Sequence, residues 1–213
     1  MFVDLVFYNK ESDLPELKEW AKKLEIDALI LAKTFSGEEL ERLREILAKE
    51  DFPFYLCHVM QSSDAKELRQ FKQWADLVCV LGADLQLNKF AVSQKQVDFL
   101  LHPVNSGKIE IDTGIMQLAK LNNTKIAFLF NEFNSLQGFP KSLMLKNAFI
   151  ACQVMAHYKV DALFFTGAKK FEDMRAVKDL KSFAVLLGFS TEQGRRFLEL
   201  PQTLIEKKSK KKN

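Results

Sequence analysis

Short, wholly apolar runs alternate with amphipathic stretches along most of the chain. A run that is apolar throughout and rich in β-branched and aromatic residues is typical of a strand that is covered on both faces. Between these runs, apolar residues recur at the spacing of one helix face. We predict seven strands, at residues 2–8, 28–31, 54–60, 77–81, 97–101, 125–130 and 161–165.

Local signals mark where several of the helices begin. Ser36 and Glu39 have the S-x-x-E spacing of a capping box, in which each side chain bonds the other's backbone N–H. Pro140 suits the first turn of a long helix, because its fixed φ is already helical there. We predict helices at residues 14–24, 36–47, 65–75, 88–96, 112–121, 140–158, 177–187 and 191–199.

The alternation of buried strands with helices predicts an α/β fold with a parallel sheet. Barrels of eight such units begin at roughly 200 residues, and this chain has 213. We therefore expect a TIM-like (β/α) barrel with seven or eight mostly parallel strands, and a doubly wound open sheet is the alternative. The expected boundaries are one barrel domain at 1–206 and a Lys-rich disordered tail at 207–213.

The charge balance limits how the chain could bind a nucleic acid. It has 31 Lys and Arg against 28 Asp and Glu, which gives a net charge of +3. Five of those lysines lie in the tail, so the rest of the chain has a small negative net charge. Nucleic-acid binding by the folded part would therefore depend on a local basic patch in its C-terminal half.

Familiar catalytic motifs are missing from the sequence. It contains no nucleophile elbow, phosphate-binding loop or dinucleotide fingerprint, and it has only three histidines. Its three cysteines are far apart and form no C-x-x-C pair, which argues against a disulfide framework and for a reducing compartment. No secretory signal or membrane-spanning run is evident. We therefore expect a cytoplasmic protein.

In a barrel, functional residues are expected after the carboxyl ends of the strands. Lys169, Lys170, Arg175 and Lys178 follow the seventh strand within ten positions, and such side chains can contact phosphates. From composition alone, a solvated surface is the favoured interpretation of these residues. His102 ends the fifth strand, and a single histidine before a proline favours a role in fixing the turn.

Several segments together resemble one known family. The run 101–105 (Leu-His-Pro-Val-Asn), the pair Ile111-Asp112 and the run 119–121 are similar to the central part of archaeal ribonuclease P protein component 3, the thirty-kilodalton subunit family. The turn 166–168 and the run 174–180 resemble later family segments, although Thr166 replaces the usual Ser and Val177 stands where Pro is common. The early Asp4-Leu5 also matches.

The resemblance implies a TIM-like barrel without the metal ligands of related phosphoesterases. It implies that the chain is a subunit of ribonuclease P. Ribonuclease P is a ribonucleoprotein endonuclease, and therefore a hydrolase, that matures tRNA 5′ ends during tRNA processing. In that particle the RNA is catalytic and carries the magnesium. The chain would support that RNA together with protein component 2 and other subunits, and would meet precursor tRNA only indirectly.

The same resemblance implies no catalytic residue, metal or cofactor in this chain, and no membrane partner. Within this hypothesis we expect RNA contacts at Lys169, Lys170, Arg175 and Lys178, with Lys33, Lys108 and Arg69 as weaker choices. One alternative is a stand-alone metal-dependent phosphoesterase whose ions would be held by His102, Asp4, Asp112 or Glu132. Another is a protein scaffold with no role in RNA binding.

Overall fold

The computed structural model describes residues 1–82 and 84–212, with side chains as far as Glu206. In this part of the chain, seven parallel strands form one sheet in sequential order. Each strand pairs with the next one along the chain, as the apolar runs predict. The strands are β1 (Val3–Phe7), β2 (Ala28–Lys33), β3 (Phe54–Met60), β4 (Leu77–Leu81), β5 (Phe99–Leu101), β6 (Lys125–Leu129) and β7 (Ala162–Phe165).

Helices follow the strands, and short 3-10 helices at Glu11–Asp13 and Phe171–Asp173 lie in two of the loops. Half of the predicted capping box is present: the Ser36 side chain accepts a hydrogen bond from the Glu39 N–H, whereas the Glu39 carboxylate bonds Lys33 and not the Ser36 N–H. The helices are α1 (Leu14–Lys23), α2 (Gly37–Leu47), α3 (Ala65–Trp74), α4 (Leu85–Ser93), α5 (Thr113–Asn122), α6 (Phe130–Asn134), α7 (Gly138–Tyr158), α8 (Val177–Leu186) and α9 (Thr191–Lys212).

Helix α4 was predicted at residues 88–96 but spans Leu85–Ser93. Its start is fixed by Asp84, whose side chain accepts hydrogen bonds from the Gln86 and Leu87 N–H groups.

Two further helices differ from the prediction. The sequence pattern assigned residue 130 to a strand, whereas Phe130 begins α6 and packs on the ring of Phe183 in α8. The last helix was predicted to end at 199, but α9 continues through Pro201. Its later residues Leu204 and Ile205 pack against the strands, and this tertiary contact explains the extension. The expected disordered tail has its side chains outside the described residues, so it stays a prediction.

The sheet curls until its first and last strands meet. The Phe7 N–H donates to the Ala168 carbonyl at 2.7 Å, and the Gly167 N–H donates to the Leu5 carbonyl at 3.0 Å. Gly167 has a φ of +61°, and an added Cβ would lie 3.0 Å from the Leu129 side chain. The turn therefore requires glycine. The barrel prediction is confirmed, and the doubly wound alternative is wrong.

A buried carboxyl group holds the same seam together. The Asp4 side chain accepts hydrogen bonds from the N–H groups of Thr166 and Leu5, at 2.7 and 2.8 Å. The Thr166 hydroxyl donates to the second carboxyl oxygen of Asp4 at 2.5 Å. Burial raises the pKa of Asp4 to about 7, against the lowering effect of these hydrogen bonds. Asp4 and Thr166, which both lie in segments that resemble the family, thus join β1 to β7.

Apolar side chains fill the inside of the barrel. Phe99 and Phe165 are among the largest of them, with ring centroids 5.9 Å apart. Helix α9 lies across the amino ends of the strands, where Arg196 bonds Asp161, the residue before β7, at 2.6 Å. Because α9 covers the amino ends, space for a ligand remains at the carboxyl ends of the strands. No helix in the described residues is long and apolar enough to cross a membrane.

Candidate functional site

A cavity of about 510 Å³ opens at the carboxyl ends of β4, β5, β6 and β7. Its walls combine apolar side chains from the strand ends and from α7 with polar side chains from the loops. The apolar part includes Phe7, Leu81, Leu129, Leu136 and Met144. The polar part includes His102, Asn105, Ser106, Glu132, Ser135 and Lys169. We call this space the mouth cavity.

Close backbone packing positions His102 at this cavity. Gly82 follows β4, and an added Cβ there would lie 2.4 Å from the Cα of Pro103, so only glycine allows the approach. His102 adopts a φ of +49°, and its N–H donates to the Ala127 carbonyl at 2.7 Å. The turn after β5 is therefore held by the strands on either side of it.

The two ring nitrogens of His102 have different surroundings. Nδ1 accepts a hydrogen bond from the Leu129 N–H at 3.3 Å, so this nitrogen fixes the turn as expected. Burial lowers the pKa of His102 to about 4, and the charge of Glu132 opposes this only weakly. The ring is therefore neutral at pH 7. Nε2 is buried and has no hydrogen-bond partner among the described residues.

Glu132 and Lys169 form an ion pair at the cavity, with 3.1 Å between Oε1 and Nζ. Their side chains are 33% and 64% exposed, so water screens the attraction. Such pairs contribute about 0–1 kcal/mol, and Lys169 can therefore turn towards another anion at little cost. The Asn9 side chain bonds the Lys169 carbonyl at 2.9 Å and fixes its backbone at the rim.

Lys169 and Lys170, both predicted to contact RNA, lie together. They line a second cavity of about 370 Å³, and Lys10 from the loop after β1 lines it too. Lys10 is not among the RNA contacts that we predicted from the sequence. The closure of β1 against β7 is what brings it beside residues that are 160 positions away, as the bond from Asn9 to Lys169 illustrates.

The structure does not bring Lys178 to this group. Lys178 lines a cavity of about 860 Å³ beside the start of β1, together with Lys23, Lys181 and Arg195. Arg175 lies between the two regions along the chain. Its Nη1 donates to the carbonyls of Glu172 and Met174, at 3.0 and 2.7 Å, so part of its guanidinium is already occupied.

The three weaker candidates are spread over the surface. Lys33 ends β2 and pairs with Glu39 at 2.5 Å, with its Nζ 5.5 Å from the centre of the Tyr8 ring. Lys108 is exposed in the loop after β5, where its N–H donates to Asn105 Oδ1. Arg69 is exposed on α3, in the outer layer of helices.

The four residues of the phosphoesterase alternative do not form a common ligand set. Asp4 is part of the seam, and Asp112 caps α5 by accepting from the Ile115 N–H at 2.7 Å. His102 and Glu132 line the mouth cavity, whereas Asp4 and Asp112 do not. Across the described residues, nowhere do three His, Cys, Asp or Glu side chains lie so that they could hold a metal ion.

Residues 57–213 match the sequence model of a family described as RNase P subunit p30. Ribonuclease P protein component 3 of Methanococcoides burtonii is 25% identical over 145 residues, which are 68% of this chain and 60% of that protein. Its counterpart in Methanothermobacter thermautotrophicus is 23% identical over 177 residues, or 79% and 71% of the two chains. The chain thus spans about 60% of the first of these relatives.

Two solved structures share the fold at low sequence identity. A chain of archaeal ribonuclease P with mature tRNA is 20% identical, with a TM-score of 0.81 over 97% of this chain and 90% of that one. A Xaa-Pro dipeptidase with bound methionine is 13% identical, with a TM-score of 0.56 over 98% and 75%. At these identities, both likenesses bear on the fold alone.

Proposed function

The chain belongs to the RNase P subunit p30 family, and from this premise we propose that it acts as a protein subunit of ribonuclease P, the ribonucleoprotein endonuclease that matures tRNA 5′ ends. The observation that carries the proposal is the family match over residues 57–213. The relatives named ribonuclease P protein component 3 support it.

In this proposal the RNA performs the hydrolysis and binds the magnesium, and this chain contributes no catalytic residue, metal or cofactor. An RNA active site must bring phosphates together, and their repulsion opposes its fold. Lysines held at fixed positions on a rigid barrel lower that repulsion without any chemistry of their own. Lys10, Lys169 and Lys170 at the carboxyl ends of β1 and β7 are suited to this role.

The partners in this proposal are the ribonuclease P RNA, protein component 2 and further subunits, with precursor tRNA met indirectly. We also propose a reducing compartment such as the cytoplasm. Its support is that Cys57, Cys79 and Cys152 are all free and buried, which is typical of proteins that keep their thiols reduced.

Reconstitution tests the proposal. Precursor-tRNA cleavage would be measured with the ribonuclease P RNA and the other subunits of the same source, with and without this chain. We expect the chain to raise the cleavage rate most strongly at low magnesium, where phosphate repulsion is least screened. The chain alone should leave precursor tRNA intact. Cleavage by the chain alone, or equal rates with and without it, would contradict the proposal.

A further inference from the structure

His102 presents a hydrogen-bond donor with nothing to accept from it. Because Nδ1 accepts from the Leu129 N–H, the proton of the neutral ring lies on Nε2. That N–H group is buried, and no described residue accepts from it. An unpaired buried donor costs about 1–3 kcal/mol and calls for an explanation. Since His102 lines the mouth cavity, a bound molecule with an acceptor atom would supply the missing hydrogen-bond partner.

The polar side chains of the mouth cavity differ in exposure, which orders them by depth. His102 is only 8% exposed, the Glu132 side chain is 33% exposed, and the Lys169 side chain is 64% exposed. A bound molecule would therefore meet a neutral donor at the wall, a carboxylate further out and an ammonium group at the rim. This order matches a neutral polar ring that carries an anionic group at its outer end.

The rest of the cavity favours a flat, weakly polar body. Phe7, Leu81 and Met144 line it, and an anion placed among them would lose hydration that the neutral His102 ring cannot replace. The volume of about 510 Å³ lies within the usual range of roughly 300–1,000 Å³ for small-ligand sites. A nucleobase has both the apolar faces and the polar edge that these walls require.

We propose that the mouth cavity binds a single unstacked nucleotide of an RNA, with the base inside and the phosphate at the rim. A carbonyl oxygen or ring nitrogen of the base accepts from His102 Nε2–H, and Glu132 accepts from an N–H group of the base. Lys169 pairs with the phosphate. Splayed-out bases are the common targets of sequence-specific RNA recognition. The inference rests on the proposed function, which supplies the RNA.

The test is an NMR titration of the full chain with labelled histidines. The probes are the four nucleoside 5′-monophosphates, the matching unphosphorylated nucleosides, and inorganic phosphate. We expect at least one monophosphate to shift the His102 ring signals saturably at millimolar concentration, and its nucleoside to bind more weakly. Inorganic phosphate should leave His102 unchanged. His58, buried and bonded to Glu67 at 2.9 Å, serves as the internal reference.

Two lysine variants provide a matched comparison that does not depend on altering the buried ring. Lys169→Met should weaken monophosphate binding about tenfold, because it removes a charge-assisted contact to the phosphate. Lys146→Met should bind like the wild type, since Lys146 is exposed on α7 and does not line the mouth cavity.

Three results would overturn the inference: no nucleotide shifts His102, inorganic phosphate shifts it as strongly as a nucleotide, or Lys169→Met binds as tightly as Lys146→Met. The reconstituted cleavage assay separates this failure from failure of the proposed function. If the chain stimulates cleavage but nucleotides leave His102 unchanged, only the cavity assignment fails. If nucleotides bind as described but the chain has no effect on cleavage, the nucleotide site remains and the ribonuclease P role fails.

Discussion

His102 shows how one side chain can serve both the fold and a candidate site. Its Nδ1 fixes the turn by accepting from Leu129, which is the role that its place before Pro103 suggested. Its free Nε2 could not be inferred from sequence, because the tautomer depends on a backbone N–H that lies 27 positions further along the chain. Sequence alone therefore suggested the turn role but could not identify the available donor.

Burial of His102 predicts a loss of stability in acid. Its folded-state pKa of about 4 lies below the usual value of 6.5. Between these values the unfolded chain takes up a proton that the folded chain does not, so the free energy of unfolding falls as the pH falls. At pH 5 we expect a loss of about 2 kcal/mol relative to pH 7 from this residue.

Urea unfolding at pH 7 and pH 5 would measure this loss. His102→Gln should show less acid sensitivity than the wild type by that amount, and the contribution of His58, which is present in both, cancels. An equal acid loss in the two proteins would show that His102 is not buried in its neutral form.

At the scale of elements, hydrophobic periodicity predicted all seven strands and eight of the nine helices in the described part of the chain. It missed α6, a single short turn, and the second half of α9. Periodicity reports which residues are buried, but not which partner buries them. Ile205 is buried because α9 packs under the amino ends of the strands, which is a contact between the two ends of the chain.

The packing of α9 can be tested with one buried and one exposed residue of the same turn. Ile205→Ala should lower the free energy of unfolding by about 3 kcal/mol, because it leaves a cavity against the barrel interior. Thr203→Ala should change it by less than about 0.5 kcal/mol, since Thr203 is exposed. Equal effects of the two substitutions in urea unfolding would show that this part of α9 does not pack against the barrel.

The junction of β1 and β7 depends on Asp4. Asp4→Ala removes the acceptor of two N–H groups and one hydroxyl, and we expect it to cost about 3 kcal/mol or more of unfolding free energy. Asp4→Asn should cost less, because its amide oxygen can still accept from Thr166 and Leu5. Denaturant unfolding of both variants at one pH would check this order, and a smaller loss for Ala than for Asn would contradict it.

Asp4 also predicts a pH effect opposite to that of His102. Its folded-state pKa of about 7 lies above the usual 3.8, so the folded chain holds this proton more tightly than the unfolded chain. The free energy of unfolding should therefore fall as the pH rises from about 4 to about 7. The wild type should lose stability relative to Asp4→Asn across this window. A constant difference between the two proteins would show that Asp4 does not titrate there.

At the scale of the whole molecule, closure of the barrel decides which charges act together. We predicted RNA contacts at three lysines and one arginine after the seventh strand. In the structure, Lys169 and Lys170 line one cavity and Lys178 lines another. Lys10 joins the first pair only because β1 meets β7. The sequence shows where the basic residues lie along the chain, whereas the fold determines which of them share a surface.

This grouping predicts unequal effects of charge reversal in the reconstituted enzyme. Changing both Lys169 and Lys170 to Glu should raise the magnesium requirement of cleavage, because two phosphate contacts become repulsive. Lys178→Glu should have a smaller effect, since Lys178 lines a different cavity. If Lys178→Glu has the larger effect, the RNA lies beside the start of β1 and not at the carboxyl ends of the strands.

The most direct measurement for the account as a whole is the magnesium dependence of precursor-tRNA cleavage by the particle assembled with and without this chain. We expect the wild-type chain to shift half-maximal cleavage to lower magnesium, and the chain without RNA to give no product. The same magnesium dependence with and without the chain, or product formed by the chain alone, would contradict the claim that it supports a catalytic RNA.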